Sequence, residues 1–190
     1  VTGSDVQTLR AEVEGTETLV GGQNAQLLDN ETYAQADRRL IFPVVLSLIF
    51  VALAFALRSL VAPAIMVTSV VATNVAALGL GWWISTGVFG FERFASETPL
   101  YAFVFLVALG IDYSIFLVTR ARQEAVHQGT RDGIITALAS TGGVITSAGI
   151  LLASVFAALG VLPLVALAQV GIVIFVGVLL DTLVIRTILI

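Results

Sequence analysis

Hydrophobic residues in this chain do not alternate with polar ones at core spacings; they gather in five long runs. Ile41–Leu57 and Val61–Ser85 carry no charge. Leu100–Val118 holds a single acid, Asp112; Ile134–Leu159 is charge-free; Leu164–Ile185 holds only Asp181. Each run is near or above the roughly 20 residues an α-helix needs to cross a hydrocarbon core of about 30 Å. Backbone groups in lipid must pair within their own segment, so the runs predict membrane-spanning helices rather than open strands. The competing reading, buried helices of a large soluble protein, fits badly with five such runs sharing two charges.

Ahead of the first run, residues 1–39 are polar and read as the end of a soluble domain. Ser4 and Gln7 stand at capping-box spacing before "VQTLRAEV", which predicts a short helix. "ETLVGG" predicts a short strand closed by a glycine turn, and "NAQLLDNETYAQADRRL" a helix running into the membrane. The expected fold is thus an all-α membrane protein, a five-helix bundle over 40–190 preceded by an α+β remnant at 1–39. The chain opens at Val1 without a methionine and stops at "IRTILI", amid apolar sequence. We expect a piece of something longer.

Composition agrees: 58% of residues are hydrophobic and 12% charged, about half the charged fraction of a soluble domain. No cysteine is present, which excludes a disulfide framework and thiolate metal sites. The sequence contains no metal-ligand cluster, nucleophile elbow, P-loop or dinucleotide fingerprint. We therefore expect no enzyme, no cofactor and no nucleic-acid partner, and an energy source that is an ion gradient or a separate subunit.

Arginines in the short connections set the expected orientation. Arg58, Arg120, Arg122, Arg131 and Arg186 fall on one side, against Arg38, Arg39 and Arg93 on the other. The first side reads as cytoplasmic and residues 1–39 as extracytoplasmic. Trp82, Trp83, Phe89, Phe91 and Phe94 then form an aromatic belt at the outer interface. His127, in the predicted loop 119–133, reads as solvated.

Asp112 stands eight residues before Arg120, about 12 Å inward at a rise of 1.5 Å per residue. A charged aspartate at the centre of a spanning helix costs about 2.5–3.5 kcal/mol on insertion scales. Protonation or a partner inside the bundle relieves that cost. A proton carrier and a structural acid held between helices are the two readings. Tyr113 points about 100° away from Asp112, so each is better placed to bond a neighbouring helix. The fourth run offers one: Ala139, Gly143 and Ser147 make a small-residue stripe that permits close approach. Beside it lie Gly142, Thr146 and Gly149, so the hydroxyls of Thr146 and Ser147 read either as relay neighbours or as plain packing. Asp181, five residues before Arg186, reads as a structural or topological acid near the inner boundary. Gln169 and Asn74 read as interhelical hydrogen-bond donors and acceptors.

"GIDYSIFLVTRARQEA" (110–125) resembles the Gly-x-Asp-Tyr-x-x-Phe-Leu segment of the MMPL transporters, within the resistance–nodulation–division (RND) superfamily. "TGGVITSAGILLASVFAALGVLPLVALAQVGI" (141–172) and "GVLLDTLVIRT" (177–187) are similar to the last two helices of that family's C-terminal repeat. "LVGGQNAQLLD" (19–29) resembles the segment leaving its extracytoplasmic porter domain. The resemblance covers essentially the whole chain. It implies that residues 1–39 end the porter domain and that the five spans are helices 8 to 12 of a twelve-helix RND-type fold. It also implies a multi-pass protein of the bacterial plasma membrane, with residues 1–39 extracytoplasmic and the C-terminus cytoplasmic.

The implied function is export of lipids or other amphipathic molecules driven by inward proton flow. Asp112 would be the proton-carrying acid and Tyr113 its cross-helix partner, meeting an Asp-Tyr pair of a missing N-terminal repeat. The bilayer, protons, that repeat and the exported amphiphile are the implied partners. Two alternatives stand beside this reading: general drug efflux, and a non-transporting sterol-sensing-like scaffold, which has no need of an acid at mid-depth.

Overall fold

The computed structural model describes residues 3–185. Six helices follow one another: α1 Gly3–Glu12, α2 Gln23–Leu57, α3 Val61–Gly87, α4 Thr98–Gln128, α5 Thr130–Leu159 and α6 Val165–Leu179, the last continuing as a π-helical turn over Leu180–Ile185. Five of them, α2 to α6, are long and apolar enough to span a membrane. The chain divides into two compact units, Val1–Val44 and Val45–Ile190.

In the first unit α1 meets the polar start of α2. Val6 and Ala25 are buried, and Arg10 grips Asp29 with two bonds, Nη1 to Oδ1 at 2.5 Å and Nη2 to Oδ2 at 2.8 Å. This fork-on-fork geometry is the strong form of an arginine–carboxylate pair. The strand expected at "ETLVGG" does not form. Among the described residues no other strand is present to ladder with it, Leu19 is exposed, and one extended segment cannot satisfy its backbone as a sheet. The helix expected from "NAQLLDNETYAQADRRL" does form, unbroken into the first apolar run, with Pro43 inside it. The unit boundary falls just past this proline, whose ring removes one ladder hydrogen bond.

The second unit is organised around α6. Gln169–Ile174 and Val176–Val178 are buried all round the helix, the mark of a helix enclosed by others. Its neighbours α3, α4 and α5 supply Ala77, Ala102, Leu106, Ala153 and Phe156 to one core with Val170, Val173, Ile174 and Val178. Small residues set the spacing. A Cβ at Gly81 would stand 2.6 Å from Val173 Cγ2, and one at Gly149 would stand 2.5 Å from Thr182 Oγ1.

The small-residue face of α5 is not the expected one. Gly133, Ala137, Thr141, Ile145, Gly149, Ala153 and Phe156 are buried, whereas Ala139, Gly143 and Ser147 are exposed. The two stripes are offset by two residues, about 200° around a helix of 3.6 residues per turn. Both have the spacing for close approach, and α6 fits the one with Gly149.

The loop expected at 119–133 is mostly helix. α4 runs on to Gln128, with an Arg120–Glu124 pair at 2.8 Å along it. No glycine or proline interrupts "RARQEAVHQ", so nothing stops the helix until Gly129. Gly129 turns the chain with φ of 84°, a region open to glycine at little cost. The side chain of His127, like Arg186, lies outside the described residues.

Candidate functional site

Asp112 sits on the face of α4 turned away from the other helices. Tyr101, Phe105, Ala108, Asp112, Phe116 and Thr119 are all exposed, at helical spacings that make one continuous stripe. The opposite face carries Ala102, Phe103, Leu106, Val107, Ile111 and Leu117, all buried. The acid is therefore the one carboxylate in a broad apolar stripe that nothing in the described residues covers.

Tyr113 turns the other way, as adjacency on a helix requires. With Gly110, three residues earlier, it lines a small cavity completed by Val70 and Thr73 of α3 and by Asp181 and Thr182 of the π-helical turn. The cavity holds about 10 Å³, space for one water molecule. A Cβ on Gly110 would stand 3.1 Å from Val70 Cγ2 and 3.9 Å from Asp181 Oδ1, so the glycine chiefly lets α3 come close to α4 here. Thr182 is 5% exposed and its Oγ1 has no hydrogen-bond partner among the described residues.

Sequence reasoning set Asp181 apart from Asp112 and Tyr113; the fold brings it to Tyr113. The π-helical turn explains why this was not visible. One wide turn shifts the register of every later residue on α6, and nothing in "LLDTLVI" announces it. Neither expected relay neighbour joins this cluster. Thr146 is half-buried, and Ser147 is exposed with its hydroxyl donating to the Val144 carbonyl at 2.9 Å.

Asp181 also lines a second, larger cavity of about 430 Å³ between α3, α4 and α5. Its wall runs from Ser69 and Ser114 at one end to Ala62, Ala125 and Thr130 at the other, with Arg122 near the latter. Arg122 donates through Nη2 to the Leu57 carbonyl, the last residue of α2.

Of the two uncharged polar residues, Gln169 makes bonds between elements. It is fully buried; its Nε2 donates to the Arg93 carbonyl at 2.7 Å, and its Oε1 accepts from Ala95 N at 2.8 Å and Thr98 Oγ1 at 3.2 Å. It fastens α6 to the segment that leads into α4. Asn74 is buried, yet its Nδ2 finds no partner among the described residues, contrary to the expected bond. Trp82, Trp83 and Phe89 are exposed, and Phe89 stacks on Phe91 with centroids 5.9 Å apart. Phe94 turns inward instead and packs on the core.

Comparison with known proteins gives a consistent set. Residues 4–189 match the MMPL family. A Streptomyces coelicolor membrane protein, SCO0839, is 52% identical over 190 residues, covering 98% of this chain and 27% of its own length. The apo-petrobactin exporter of Bacillus anthracis is 43% identical over 171 residues, 90% of this chain and 23% of its own. The sulfolipid-1 exporter MmpL8 of Mycobacterium tuberculosis is 40% identical over 174 residues, 89% of this chain and 15% of its own. The chain thus spans about a quarter or less of the length of these relatives.

Proposed function

The chain belongs to the MMPL family, and on that premise we propose that it is part of a proton-driven exporter of lipids or other amphipathic molecules. Two of the relatives are named as exporters, one of a sulfolipid and one of apo-petrobactin. In this reading residues 1–39 end an extracytoplasmic domain, the C-terminus is cytoplasmic, and the five spanning helices form the second of two repeats.

Asp112 is the proton-carrying acid. The observation that carries this is its exposure on an otherwise apolar face of α4. In a bilayer an acid so placed either faces hydrocarbon, at a cost of about 2.5–3.5 kcal/mol, or meets a partner helix. A partner repeat with its own polar groups relieves the cost, and changing the acid's protonation changes how well the repeats fit. Tyr113, turned towards α3 and α6, couples Asp112's helix to the rest of its own repeat. A scaffold has no use for such an acid.

The test is Asp112→Asn in the intact protein. Proton-dependent export should fall to the level of a deenergised membrane while expression and insertion persist. Unchanged export would remove the relay assignment. Assaying a drug and a lipid substrate side by side separates general efflux from lipid export.

A further inference from the structure

We propose that the cavity between α3, α4 and α5 binds one acyl chain of an anionic phospholipid, with its headgroup on Arg122. The volume, about 430 Å³, falls within the roughly 300–1,000 Å³ of ordinary ligand sites. The cavity is long rather than round. Along α4 it reaches from Ser114 to Ala125, eleven residues, about 16 Å at 1.5 Å per residue. That is close to half of a hydrocarbon core of about 30 Å, the length of one leaflet's acyl chain. Its walls are apolar along that length, with Ile65, Met66, Leu117, Val118 and Leu138 among them.

Charge is arranged for an anionic head at one end only. Arg122 lines the cavity and is anchored to the Leu57 carbonyl, at the level where α2 ends. That bond engages one of five guanidinium donors. Around this end of the bundle stand Arg58, Arg120, Arg122 and Arg131 against two acids, Glu124 and Asp132, and Glu124 is already paired with Arg120. A basic pocket between spanning helices at the boundary is a site for anionic headgroups. At the inner end, Ser69 and Ser114 donate to the Met66 and Gly110 carbonyls. Their hydroxyls are satisfied on their own helices and do not compete for the tail, while Asp181 makes the polar floor at which it stops. The site is separate from the outward stripe of Asp112, so its occupancy stands or falls independently of the proton relay.

Native mass spectrometry of the intact purified protein tests this, with equal amounts of phosphatidylglycerol and phosphatidylcholine of the same chains. The wild type should retain the anionic lipid about fivefold better, the preference conferred by one arginine near the surface. Arg122→Gln should abolish that preference and Arg122→Lys should keep it. Leu138→Trp, which fills the cavity without touching the charge, should lower retention of both lipids. Equal retention of the two lipids by the wild type would overturn the proposal. So would wild-type retention in Leu138→Trp, the result expected if a protein segment already fills the cavity.

Discussion

Gly149 and Thr182 touch so closely that a Cβ on the glycine would fall 2.5 Å from the threonine Oγ1 and 2.9 Å from its Cγ2. This contact seats the π-helical turn, and with it Asp181, against α5. Gly149→Ala must push that turn aside, and overpacking of this kind costs about 1–3 kcal/mol. Thermal unfolding in detergent should show a lower Tm for Gly149→Ala. Gly79→Ala, on an open face with nothing within 4 Å, should hold or raise it, since alanine is the better helix former by up to about 1 kcal/mol. Equal Tm for the two variants would remove the close contact.

Gln169→Leu keeps most of the side-chain volume and removes all three bonds to residues 93–98. The Ala95 amide and the Arg93 carbonyl each lose a hydrogen bond, worth about 0.5–1.5 kcal/mol apiece. Amide exchange over 93–98 should quicken sharply, with far less change in α5. A uniform increase along the chain would instead indicate general destabilisation.

The Arg10 hydrogen bond holds the Asp29 carboxyl below its ordinary value of 3.8. A carboxylate lowered on folding stabilises above the unfolded pKa, and that contribution is lost as pH falls through the folded pKa. Packing of α1 on the start of α2 should therefore be insensitive to pH between neutrality and about 5, and loosen below about 4. Limited proteolysis of residues 13–22 against pH reads this out. Asp29→Asn should cut equally readily at all pH values, and high salt should mimic it, because both side chains are more than a third exposed and the pair is screened.

The spans were legible because length and hydropathy alone demand them. Their ends were not. Three charges, Arg120, Arg122 and Glu124, interrupt the apolar run in Thr119–Gln128, and the helix continues because no breaker intervenes before Gly129. The face of α5 was ambiguous for a physical reason: two small-residue stripes satisfy the same spacing, and α6 decides between them. Asp112 stood out as an acid inside an apolar run, but which way it faced needed the whole of α4. The place of Asp181 beside Tyr113 depends on a π-helical turn, which carries no pattern in the sequence. Gln169 was read as a bonding residue, and its partners, mostly main-chain groups of an irregular segment, have no sequence signature.

The turn at Gly129 limits how the membrane helices can move. Between Gln128 and Thr130 the chain extends at most about 7 Å, little more than the 5.4 Å pitch of one helical turn. Gly133 narrows the margin further, since its backbone lies where a Cβ would meet Ala125 N at 2.5 Å. Sliding of α4 past α5 is therefore limited to about one helical turn at this end. A shift of α4 along its axis by more than about one turn must draw α5 with it, and the two helices move as a linked pair.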